Sequence, residues 1–276
     1  MKNETTKLIG GVCLTALVGM TISLSSCTVR GTNNDQNIMS KEKVEENVRE
    51  FVYPLPTAFE VTEMLNRIDA AYILDICNDP ENVDKYITEV KRAMNMGVYS
   101  ADLCYASTYN QSAAVRRYTQ TIRALVDALD MTQAVDPELA TKMVNLENNK
   151  EGMTELISNS FYDSYDYLNR KNRGPVSILI VAGSWVEGLY IATHISDDTF
   201  DNKEMVKIVM SQKEPLDKLV ELLGNYPNVE AVKEVREQIL PLYETYRTID
   251  ASSISEDQVM SIKKQANAVR EYIVKP

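Results

Sequence analysis

Residues 176–195 run VSILIVAGSWVEGLYIATHI. Apolar side chains fall on nearly every side of a helical wheel here, not on one stripe. The segment therefore predicts a helix with neighbours all round, at the centre of the fold. Its uninterrupted apolar part, 176–186, stops at Glu187 and is too short to cross a bilayer. Gly183 and Gly188 predict close approach by other helices. Neither follows a strand, so a phosphate-cradling loop is not the reading. The segment also holds the only Trp, Trp185, and the only His, His194. Glu187, Tyr190 and His194 stand at i, i+3 and i+7 and share one helix face. A carboxylate, a phenol and an imidazole in a row can run acid–base chemistry or grip a polar ligand. They can equally form an internal network, because buried polar groups pair with one another. The internal network is the preferred reading.

The same 3.6-residue periodicity governs the chain on both sides of this segment. Val44, Val48 and Phe51/Val52 form a short stripe, and Thr57-x-x-Glu60 has the form of a capping box. Asp79-Pro80 and Asp136-Pro137 each pair an N-cap with a first-turn proline. From the first, one helix is expected to run through Val83, Ile87, Val90 and Met94, past Gly97, to Thr108. Val115, Tyr118, Ile122, Leu125 and Leu129 mark the next stripe, and Met153, Ile157, Phe161, Tyr165 and Leu168 another. Asp201-x-x-Glu204 opens a helix that Pro215 is expected to break or kink, and Pro241 is expected to kink a later one. Ser255-x-x-Gln258 caps a final helix bearing Val259, Ile262, Ala266, Val269 and Ile273. Glycine is sparse, 10 in 276 residues, and no strand-like alternation competes. The fold class is all-α: an irregular multi-helix bundle of about nine or ten helical segments, with a helical-hairpin superhelix as the alternative.

The amino-terminal end carries a different signal. Lys2 and Lys7 precede an uncharged apolar stretch, 8–24, which ends in Leu24-Ser25-Ser26-Cys27. A charged start, a short apolar core and small residues before a cut site describe a signal peptide. The closing Leu-Ser-Ser-Cys resembles a bacterial lipobox. That resemblance implies cleavage before Cys27 and acylation of Cys27, with several acyl chains making a stable anchor. The domain plan is a signal peptide over 1–26, a lipidated polar tether over 27–40 and a single all-helical domain over 41–276. Thr28 after the cysteine, rather than Asp, and no acidic run beyond it favour the outer membrane, facing the periplasm.

Charge and composition exclude several functions. With 29 Lys+Arg against 40 Asp+Glu, the formal net charge is −11, so nothing supports general nucleic-acid binding. One histidine excludes most His-rich metal sites. Asp163/Asp166 and Asp197-Asp198 lack a full calcium loop, so no metal and no cofactor are expected. No Gly-x-Ser-x-Gly elbow is present. Cys77 and Cys104 are either a disulfide in an oxidising compartment or two small core thiols. Asp102, between Tyr99 and Tyr105, reads as a buried carboxylate needing donors from those tyrosines, Arg116 or Arg117.

Residues Asn95-Met-Gly-Val-Tyr-Ser-Ala-Asp102 and Gly183-Ser-Trp-Val-Glu-Gly-Leu-Tyr190, together with the lipobox, resemble uncharacterised all-helical lipoproteins of Gram-negative bacteria. The resemblance implies an anchored helical domain and assigns no catalytic residue. The functional expectation is a membrane-anchored, non-enzymatic module in the periplasm that binds an envelope protein or a small ligand. The alternative is a small-molecule or hydrolytic site at Glu187, Tyr190 and His194. Candidate ligand-binding residues are Asp102, Trp185, Glu187, Tyr190 and His194.

Overall fold

The structure is a computed structural model, and it describes residues 58–146, 149–196, 199–250 and 254–276. The lipobox with Cys27, the tether, the stripe over 44–52, the Thr57 cap and Asp197-Asp198 lie outside the described residues. Among those residues the chain is all-α: ten α-helices, three 3-10 turns and no strand. It is an irregular multi-helix bundle, the first of the two architectures expected.

The apolar segment is the axis. Helix α6 (Gly174–His194) has almost every side chain buried. Helix α2 (Glu89–Thr108) crosses it, and α1 (Ala58–Arg67) and α10 (Glu256–Val274) flank the pair. By length and composition α6 could cross a membrane, but 89% of its apolar window is buried inside this protein. The crossing of α2 and α6 depends on two glycines. A Cβ on Gly97 would run into the Ile180 carbonyl and come within 2.6 Å of Ser184 N. One on Gly183 would run into the Met94 carbonyl. Each helix thus lets the other's backbone in, and sheer proximity replaces side-chain interdigitation.

The remaining helices wrap this centre. Helices α3 (Ser112–Ala128), α4 (Leu139–Asn145) and α5 (Lys150–Arg170) cover one side. Helices α7 (Lys203–Ser211), α8 (Lys213–Gly224) and α9 (Glu230–Arg247) follow α6. The Ser255/Gln258 capping box forms as predicted, with Ser255 Oγ accepting from Gln258 N–H and the Gln258 side chain accepting from Ser255 N–H. All five predicted stripe residues of α10 are buried.

Some local expectations need correction, and Asp136-Pro137 is one: Asp136 accepts from Glu138 N–H, but α4 starts only at Leu139 with Glu138 as its N-cap, so Pro137 is not in its first turn. The helix predicted from Asp79-Pro80 to Thr108 is broken. Asp79 does cap, but only a 3-10 turn, Pro80–Lys85. Tyr86 then turns extended to bury its ring, and Thr88 caps α2 anew by accepting from Lys91 N–H at 3.2 Å. Ile87, expected on the core stripe, is 77% exposed. Asn202, not Asp201, caps α7, its side chain accepting from Glu204 and Met205 N–H. The break expected at Pro215 does occur: α7 ends at Ser211, four residues before the proline, whose missing N–H leaves the Ser211 carbonyl without its helical donor, and Pro215 itself sits in the first turn of α8. Helix α9 runs on through Pro241.

Candidate functional site

Glu187 is completely buried at mid-α6. Its partner comes from α10: Arg270 Nε donates to Oε2 at 2.7 Å and Nη2 to Oε1 at 2.9 Å. Nη2 also donates to the Ile76 carbonyl at 3.2 Å. This fork-on-carboxylate geometry satisfies both charges where water does not reach. The Arg270 guanidinium also lies 4.0 Å over the Tyr190 ring, and Tyr190 stacks on His194 with centroids 4.1 Å apart. His194 Nδ1 lies 2.9 Å from the Tyr190 carbonyl, so that nitrogen carries the proton and donates. Burial pulls the imidazole below its ordinary pKa, Lys263 and Arg270 add to this, and the Tyr190 carbonyl opposes it. The predicted face is therefore occupied from Glu187 to His194 by an Arg–Tyr–His stack. Trp185 is buried nearby on α6, and its Nε1 has no acceptor among the described residues.

Asp102 is also fully buried. The predicted donors do not serve it. Its Oδ2 accepts from the Asn78 backbone N–H at 3.1 Å. Tyr99 donates instead to the Asp79 carbonyl and Tyr105 accepts from Ile73 N–H. Arg117 faces Asp79, and Arg116 lines a cavity elsewhere. The helix break at Tyr86–Thr88 explains this, because it lets the loop around Asn78 fold over Asp102. Asn78 is itself held by Tyr86 and Asn95. Burial, then the Glu187 charge, push the Asp102 carboxyl well above its ordinary range, against Arg270, the Asn78 N–H and the Cys77 thiol. Among the described residues its Oδ1 has no hydrogen-bond partner within normal geometry.

Cys77 and Cys104 are free, so of the two readings the core thiols describe them and the disulfide is not formed. Burial, with Asp102 and Glu187 adding, pushes the Cys77 thiol up, and burial pushes Cys104 up to about 12. Both stay protonated at neutral pH and are poor nucleophiles. Among the described residues no group of three or more His, Cys, Asp or Glu is placed to hold a metal.

The open space lies elsewhere. Three cavities share Met143 of α4 as a wall. One of about 270 Å³ opens beside Val115, Arg116 and Thr119 of α3. One of about 240 Å³ opens across α4, beside Arg123, Val135 and Pro137. A smaller one of about 60 Å³ runs deeper, against Leu103, Ile157, Phe161 and Ile180. Together they make a largely apolar hollow under a seven-residue helix. The two outer cavities are each larger than a cavity that takes up a molecule the size of benzene, roughly 150 Å³.

No protein-family model, curated protein or solved structure matches this chain.

Sequence reasoning passes over Arg270 and the hollow, and both leave traces. Arg270 stands one residue after Val269 and four after Ala266, at the edge of an apolar stripe. A cation there complements the carboxylate inside the most apolar helix. The hollow is marked by serines where periodicity calls for bulk. Ser100, Ser160, Ser164 and Ser177 all face it. Serine leaves unfilled the volume that leucine would take.

Proposed function

We propose that this chain is a lipid-anchored protein of a bacterial envelope, cleaved before Cys27, acylated there, and held at the outer membrane facing the periplasm. In this reading its helical domain binds a small ligand in the hollow under α4 and does not transform it. The observation that carries the binding reading is the division of labour. Glu187, Tyr190 and His194 are spent on an internal stack with Arg270, while the surface-opening cavities around Met143 present mainly apolar surface. The anchor rests on Leu24-Ser-Ser-Cys27. Cys27→Ser tests the anchor: it should release the protein from membranes and abolish acyl labelling, and membrane retention without label would refute it.

A second reading has one observation in its favour. Asp102, with an unpartnered oxygen and a raised pKa, lies within electrostatic reach of Glu187. This is the small-molecule or hydrolytic site around Glu187, Tyr190 and His194. His194→Ala separates the two. Loss of binding or turnover with an unchanged melting temperature supports the second reading; a lowered melting temperature alone supports the first.

A further inference from the structure

The two mouths of the hollow differ in charge. At the 240 Å³ mouth Arg123 stands among carboxylates, Asp127 and Asp136. At the 270 Å³ mouth Arg116 stands with Asn110, Ser112, Thr119 and Gln120, with no carboxylate among the described lining residues. Arg116 is exposed and makes no ion pair among the described residues, in a protein whose formal net charge is −11. Helix α3 also begins at this mouth. Its N-cap, Gln111, donates its side-chain amide back to the Tyr109 carbonyl, so no side chain caps the positive end of this 17-residue helix. Below the mouth the wall turns apolar at Val115, Met143 and Met153. Met143 also walls the deeper cavity, and its unbranched thioether can swing aside without rebuilding the backbone.

We propose that the hollow takes an anionic amphiphile with a single alkyl chain. The anionic head sits against Arg116 and the first turn of α3, and the chain passes Met143 toward Leu103 and Ile180. This rests on the ligand-binding reading above and names its ligand class. A carboxylate and a phosphate monoester share the required head chemistry.

Calorimetric titration of the full chain with dodecanoate, dodecyl phosphate and dodecanol, each below its micelle-forming concentration, tests the inference. At least one anion should bind roughly tenfold more tightly than dodecanol, since a charge-assisted contact is worth that order. The stronger anion identifies the head as carboxylate or phosphate. Arg116→Gln, at an exposed position, should bring the anions down to the level of dodecanol and leave dodecanol unchanged. Val115→Phe should weaken all three. Equal binding of the anions and dodecanol overturns the assignment of the head and leaves the ligand-binding reading standing. No uptake of any probe overturns both.

Discussion

Helix α2 presents two faces built to opposite standards. One carries Gly97, which meets α6 backbone against backbone, and Asp102, whose carboxylate accepts from the Asn78 loop. The other carries Met96, Ser100, Leu103 and Ser107 at i, i+4, i+7 and i+11 and looks into the hollow. The crossing has no spare volume and pairs its ionised groups. The hollow has volume to spare and, among the described residues, leaves Arg116 without an ion pair at its rim. Tight packing there fixes one arrangement of the helices, and loose packing here leaves a place that something else can fill.

Substitutions should separate the two regions by size of effect. The largest loss belongs to Arg270→Leu, which strands Glu187 in the core and should cost about 3–5 kcal/mol in denaturant unfolding. The double variant Glu187→Met/Arg270→Leu should recover most of it. If the double variant is no better than the single, the pair does more than neutralise itself. Next comes Gly183→Ala. Its new methyl meets the Met94 carbonyl, which cannot swing away, and about 3 kcal/mol should be lost. Full tolerance of this change would erase the contrast with the hollow.

The third effect is pH-dependent and runs in a known direction. The folded His194 pKa lies below its ordinary value, so the folded protein binds fewer protons than the unfolded chain. Stability from this group is complete above about pH 6.5 and falls as pH drops toward the folded value. Thermal unfolding across this range should show the slope in the wild type and less of it in His194→Gln. An unchanged slope would mean the imidazole is solvated. The smallest effect belongs to Val135→Leu in the hollow, where the one added methylene should change stability by less than about 1 kcal/mol and in the favourable direction. A loss of the size expected at Gly183 would mean the hollow is as tightly built as the crossing.

Much of the fold was legible because it rests on periodicity. The all-round apolar character of 176–195 announced the central helix, and Ser255-x-x-Gln258 announced the last one. The break at Tyr86–Thr88 was not legible, since it depends on a phenol finding the Val274 carbonyl 188 residues away. The polar face at Glu187, Tyr190 and His194 was legible as a face, but its meaning depended on Arg270 from a distant helix. The hollow escaped because periodicity marks where side chains point and says little about whether they fill the space.

The carboxy-terminal end of α10 is clasped from α2 and the turn before it. Tyr86 donates to the Val274 carbonyl, Asn95 to Ile273, and Lys91 to Tyr272 and Lys275. These contacts join the first third of the chain to its last residues. The consequence concerns the order of synthesis. Until residues 270–276 leave the ribosome, Glu187 lacks the Arg270 counter-charge and Tyr86, Lys91 and Asn95 lack the carbonyls they clasp. Closure around Glu187 must therefore wait for α10, and a nascent chain stalled before Arg270 should be cut readily along α6 by protease. A resistant stalled chain would show that the bundle closes without its last helix.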